Sequence, residues 1–246
     1  PVYAAAEVAV RRGLTVAMFL GQWLADFHEF HATRDAPGGG QALALWDPER
    51  GPVLLDGAQA RALYRQVARV LTYYLNLTTF EGIGAWHHAA GDFVVRLTGG
   101  QVEARLISVR EYRPFFRRWT ESGDPARAFR ALLEGLLIFL LNLSVRTRLD
   151  RLDGTGDLAW SHPLAVEATV AGVLDGLADK TVPWELTLPI DALFRRYLAA
   201  CSAEDLLLLC TDLVKKNYPA GSAERSLLEV HVKEHADALA EAFGRL

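Results

Sequence analysis

The second half of the chain reads as an unbroken succession of helices, and this constrains the fold more than any other feature. Asp124 is a helix N-cap candidate with Pro125 at the first helical position, where a missing N–H costs nothing. It starts a helix to about Arg148, and Arg146, Arg148 and Arg151 sit near its C-terminus, where cations complement the macrodipole. After the loop 153–157, helices are expected at 163–179, 189–201, 203–217 and 222–243. Pro163, Pro189 and Ser202 mark starts, and Pro219 and Gly221 mark a break.

The first half is read the same way with one interruption. Val16, Phe19, Leu20, Trp23, Leu24, Phe27 and Phe30 recur at spacings of three and four, which predicts a long helix over 4–32 ended by the Pro37–Gly40 stretch. A polar segment with Pro48 and Pro52 leads to Asp56, the expected N-cap of a helix over 58–77. The period then changes. Residues 93–97 and 102–107 are β-rich and flank Thr98-Gly99-Gly100-Gln101, a hairpin signal. The expected fold is therefore mainly α: a single multi-helix domain, residues 1–246, with one β-hairpin at about 92–108 packed on the helices. A start at Pro1 rather than Met is what a segment of a longer protein would show.

Of 246 residues, 51% are hydrophobic and 23% charged, so the chain is globular, and a net charge of −4 gives no global field for nucleic acid. Nucleic acid is not an expected partner. The most apolar run, Leu132 to Leu143, falls short of the roughly 20 residues a spanning helix needs. No membrane span is expected. Two thiols, Cys201 and Cys210, without framework spacing suggest a reducing, cytoplasmic setting. GxxxxGK[ST], GxGxxG between a strand and a helix, and GxSxG are all absent, which removes the commonest nucleotide-binding and hydrolase readings.

Three constellations could carry chemistry. Trp86-His87-His88-Ala89-Ala90-Gly91-Asp92 lies between a helix and the hairpin, and His87, His88 and Asp92 are candidate catalytic residues: imidazoles and a carboxylate can act as base, ligand or orienting pair. His28 and His31, three apart on the expected first helix, join Asp92 as candidate ligands of a divalent metal ion. Arg110, Arg113, Arg117 and Arg118 alternate with aromatic residues after the hairpin and are candidate ligand-binding residues, since arginine grips phosphate in bidentate fashion. The plainer alternative is an amphipathic connector whose arginines face water. His231 and His235 with Glu234 match the HxxEH pattern of inverted zinc peptidases, but five letters on a Glu- and Lys-rich helix face arise easily by chance.

The order helix, polar loop, β-hairpin, helices resembles the C-terminal lobe of kinase-like phosphotransferases, the aminoglycoside and choline kinase group in particular. Arg65 to Leu77 resembles that group's helix, His87 to Asp92 its HGDxHxxN-like loop, and Phe93 to Ile107 its hairpin; Leu24-Ala25-Asp26-Phe27-His28 resembles the Leu-Ala-x-x-His ending of an earlier helix. The resemblance implies a magnesium-dependent phosphoryl-transfer site. It places Asp92 at the magnesium-binding amide, His87 at the catalytic aspartate and Ser108 at the second metal carboxylate, and the family's lysine strand has no counterpart here. The expectation is thus a binding or regulatory domain, a kinase-like lobe without its catalytic groups, whose partner is a protein or a phosphorylated small molecule. The alternatives are a metal-dependent His/Asp enzyme and a helical assembly domain with no site.

Overall fold

A computed structural model describes residues 2–34, 41–84, 92–115, 124–182 and 185–246. Within them eleven strands form five small sheets beside six helices, so the protein is a mixed α/β fold rather than mainly α with one hairpin.

The largest correction falls on the expected first helix. Val2–Arg11 (β1) and Leu14–Gly21 (β2) are instead an antiparallel ribbon, reversed at Gly13, whose φ of 78° a helix interior would not allow. The three-and-four spacing that suggests a helix joins residues of separate extended segments. The stronger signal is local: Val8-Ala9-Val10 and the short β-rich apolar run Leu14–Leu20 flank Arg12-Gly13, and periodicity cannot separate such short runs from helix. In register, Ala4 faces Leu20, Ala6 faces Met18 and Val8 faces Val16, so the middle of one side of the ribbon is aliphatic. Exposed Val10 and Leu14 extend this surface at the turn, where a register shift sets Arg11 opposite Leu14, and a second shift pairs Val2 with Gly21. All of β1 is exposed, and neither strand is hydrogen-bonded into another sheet among the described residues.

Phe30–Thr33 (β3), Ala42–Asp47 (β4) and Gly51–Leu55 (β5) form an antiparallel sheet, in which β3 replaces the end of the expected first helix and β4 and β5 replace the expected polar segment. Pro52 is compatible because β5 is an edge strand. The Asp47 carboxylate shapes the β4–β5 turn, its Oδ1 accepting the N–H groups of Glu49 and Arg50 at 2.9 and 3.1 Å.

Gly57–Tyr73 (α1) comes next, capped as the sequence predicts: Asp56 Oδ1 accepts the Gln59 N–H, and the Gln59 side chain accepts the Asp56 N–H. Glu81–Gly84 (β6) pairs across the chain with Glu111–Pro114 (β9). Between them lies the expected hairpin, Phe93–Thr98 (β7) and Gln101–Leu106 (β8), turned by Gly99 and Gly100 at φ 57° and 82°, the double left-handed geometry of a type I′ turn. The Gln66 amide of α1 holds this hairpin, donating to the Val102 carbonyl at 2.7 Å and accepting the Ala104 N–H at 2.9 Å.

Pro125–Arg148 (α2) leads through the short hairpin Leu149–Arg151 (β10) and Leu158–Trp160 (β11) into Leu164–Ala178 (α3), Ile190–Ala199 (α4), Ala203–Asn217 (α5) and Ala223–Gly244 (α6). Among the described residues only α2 is long and apolar enough to cross a membrane, and 67% of that stretch is buried within the protein, as a core helix would be.

The core lies where α1, α2 and α3 meet, around Leu63, Val67, Leu136, Leu140, Val173 and Leu177. The closest approach is α1 on α3. A Cβ at Gly172 would collide with the Arg65 carbonyl oxygen, and one at Gly176 would lie 2.6 Å from Thr72 Cβ and 2.8 Å from the Arg69 carbonyl oxygen. Three ion pairs flank the crossing: Arg61 to Glu167 at 2.6 Å, Arg65 to Asp175 at 2.5 Å and Arg69 to Asp179 at 2.6 Å. All are partly exposed, so each contributes at most about 1 kcal/mol. Gly172→Ala should therefore cost roughly 1–3 kcal/mol by overpacking. Arg69→Ala should cost under about 1 kcal/mol. Urea unfolding of the two variants checks the ranking, and equal costs would show that the backbone contact is not limiting.

Candidate functional site

Asp92 begins the β7–β8 hairpin and is fully buried. Its carbonyl accepts the N–H groups of Ile107 at 2.9 Å and Ser108 at 3.4 Å, which closes the open end of the hairpin. Its carboxylate Oδ1 accepts the Arg110 Nε–H at 3.0 Å. A carboxylate withdrawn from water needs such a cation, and the chain supplies it eighteen residues downstream. Two residues drawn from different sequence constellations, one a catalytic and one a ligand-binding candidate, thus belong to a single junction whose carboxylate is buried and whose guanidinium is about half exposed.

The other candidates disperse. His28 lies on an extended segment rather than a helix, exchanging both backbone hydrogen bonds with Val95 at 2.8 Å, and its Nε2 lies 3.8 Å from Asp47 Oδ2. His31 is buried in β3 edge-on to Trp46, with Nε2 3.5 Å from Glu29 Oε2. On extended backbone, residues three apart point to opposite faces, so the helix-face pairing of His28 and His31 is lost. No group of three His, Cys, Asp or Glu side chains able to hold a metal ion occurs among the described residues, and His28, His31 and Asp92 do not form one there. Arg113 lies on β9 and pairs with Glu111 at 2.9 Å. His87, His88, Arg117 and Arg118 lie outside the described residues.

Sequence reasoning misses a second polar cluster, built on Arg148 at the end of α2. This guanidinium is 1% exposed. Its Nε donates to the Ser161 carbonyl at 2.7 Å, its Nη2 donates to Glu234 Oε1 at 3.1 Å, and it lies over the Trp160 ring, 4.3 Å from the centroid. Trp160 Nε1 donates to the other Glu234 oxygen at 3.2 Å. In the sequence, Arg148 has the look of an exposed complement to the helix dipole; only the HxxEH letters on α6 point toward its partners.

Those letters perform a different task from zinc binding. Ser144 Oγ donates to the Leu141 carbonyl at 2.9 Å, which spends its proton. His235 Nε2, 3.0 Å away, must then donate to Ser144 Oγ, leaving Nδ1 as the acceptor facing Arg148 Nη1 at 3.4 Å. Both ring nitrogens are occupied. Burial, reinforced by the Arg148 charge, pushes the His235 pKa down to about 3, so the ring is neutral. His231 stacks on Trp160 at 5.7 Å between centroids, and Glu234 is the ion-pair partner of Arg148. The motif is a clamp on the β10–β11 hairpin.

This clamp has a pH signature. A histidine at about 3 when folded and about 6.5 when unfolded makes the unfolded state the stronger proton binder between those values. Its stabilising contribution is therefore complete above about pH 6.5 and is lost as pH falls toward 3, at up to about 1.4 kcal/mol per pH unit. Urea unfolding at pH 7.5, 6, 5 and 4 should show that slope, and His235→Gln should flatten it. An unchanged slope in the variant would assign the acid sensitivity to other groups.

No family model, curated protein or solved structure matches the chain.

Proposed function

We propose that this chain is a binding or regulatory domain rather than an enzyme, and that its partner is another polypeptide. The observation that carries this reading is the commitment of the buried Asp92 carboxylate to Arg110. Asp92 and Ser108 are the two positions that resemble metal-binding ones in kinase-like phosphotransferases, and the Ser108 N–H lies 3.4 Å from the Asp92 carbonyl, so they are neighbours in space. One carries a hydroxyl where a carboxylate would be needed, and the other carries a carboxylate already engaged by a cation. Phosphoryl transfer depends on such groups to hold magnesium. A lobe that kept the arrangement and lost the chemistry would look like this.

The arginines favour a protein over a phosphorylated small molecule. Arg110 is held by Asp92 and Arg113 by Glu111; Arg69 meets Asp179 through two nitrogens, and Arg105 and Arg96 share Glu103. At these arginines a phosphate would have to break a pair before it gained a bidentate contact. The exposed aliphatic ribbon β1–β2, by contrast, is the kind of surface that marks a macromolecular contact.

A metal titration of the full chain separates this reading from the metal-dependent enzyme. Manganese or zinc at about 100 μM, or magnesium with ATP, should leave the melting temperature unchanged within about 1 °C. A site of micromolar affinity would add about 2.7 kcal/mol under those conditions, or roughly 5–10 °C for a domain of this size. A rise of that order would reject the binding reading.

A further inference from the structure

Among the described residues the ribbon β1–β2 is the part with the least buried apolar surface. A two-stranded ribbon is marginal in water by itself, yet every residue of β1 is exposed and the strands pair only with each other among the described residues. Val2, Val10, Met18 and Leu20 are each more than half exposed. Such a surface is completed by something that covers it.

We infer that the cover is a second copy of this chain, the two ribbons packing aliphatic face on aliphatic face as adjoining layers of a small sandwich. Three observations favour this occupant. First, the central face that carries Ala4, Ala6 and Val8 opposite Leu20, Met18 and Val16 bears no charge, and the one cation on that side, Arg11 beside Leu14, sits at the turn end, so two-fold stacking with the ribbons antiparallel keeps the two Arg11 side chains at opposite ends. It equally offers nothing to select a charged peptide. Second, the area is adequate. With Val10 and Leu14 the face presents roughly 500 Å² per copy, and the pair reaches about 1,000 Å², the threshold of a specific interface and the size of a weak one. Third, the geometry selects face-to-face packing. Joining two ribbons edge to edge would satisfy backbone groups but leave an aliphatic face twice as wide in water, whereas stacked sheets about 10 Å apart remove both faces at once.

The inference deepens the binding reading by naming one partner and one element. It rests on that reading only for the claim that association is what the domain does. Sedimentation velocity of the full chain from about 1 to about 300 μM spans the range in which an interface of this size dissociates. The wild type should pass from the mass of one chain to that of two. The double change Val8→Lys and Met18→Lys should raise the dissociation constant at least 100-fold, with circular dichroism and melting temperature unaltered because the ribbon lies outside the core. Glu7→Lys, in the same strand but on the opposite face, should leave association intact.

A wild type that stays monomeric throughout, or a double variant that dimerises as well as the wild type, overturns the proposal. A monomer that also gains no stability from metal leaves the binding reading standing with a different partner. A dimer that melts several degrees higher with metal keeps the ribbon interface and removes the binding reading. The two measurements therefore fail separately.

Discussion

The contact of α1 with α3 at Gly172 and Gly176 is the constraint on which the rest of the structure depends. Two helices whose backbones touch fix each other's axes more tightly than interdigitated side chains can, because no rotamer change can relieve a displaced carbonyl. Once α1 is set, its exposed flank carries β8 through Gln66, and its C-terminal end receives β9 through the Tyr112 hydroxyl, which donates to the Tyr74 carbonyl at 2.9 Å. Asp92 and Arg110, at the ends of that strand system, are positioned by the same chain of contacts. The flanking ion pairs add little energy, but they set register: Arg61, Arg65 and Arg69 are one turn apart, and each finds its own carboxylate on α3 or at its C-terminal cap.

Arg148 plays the corresponding part for the C-terminal helices. Burying a guanidinium carries a large desolvation cost, and the lowering of its pKa by burial expresses that cost directly. The cluster offsets it with a carbonyl, a carboxylate, an aromatic face and a neutral imidazole lone pair. An apolar residue of similar volume would avoid the cost but would not dictate where α6 lies against the β10–β11 hairpin. Two of the compensating groups, His235 and Glu234, are adjacent residues of α6, so a shift of that helix by one residue would strand the charge. Directional hydrogen bonds here define a single docking position among several that hydrophobic packing alone would tolerate.

The helices were legible because their ends are chemically marked. Asp56, Asp124, Ser202 and Ser222 cap through side-chain oxygens, and these signals are local enough to survive without tertiary information. The Gly99-Gly100 hairpin was legible for the same reason. The small sheets were not. Ala42–Asp47 alternates too weakly to declare itself, and Glu81–Gly84 is four residues whose partner lies some thirty positions away. Of the candidate site, Asp92 and Arg110 were each visible as unusual residues, but their pairing was not, since nothing in a linear pattern tells a carboxylate which cation will reach it. Arg148 was invisible for a sharper reason: a basic residue at a helix C-terminus has an adequate local explanation, and that explanation conceals a tertiary one.

The ribbon shows the opposite relation between local and global rules. Its β-rich run Leu14–Leu20, its Arg12-Gly13 turn and its cross-strand aliphatic pairs agree that it should be sheet. The described protein around it supplies nothing to cover that sheet. Ordering each backbone residue costs about 1–2 kcal/mol, and elsewhere in the fold buried apolar surface offsets this. In β1 and β2 the offset is limited to one ladder of hydrogen bonds and side chains touching across it, while water retains access to both faces. A segment so consistent in its local pattern and so poor in burial among the described residues has the character of half an interface, and the face that would complete it is apolar and flat.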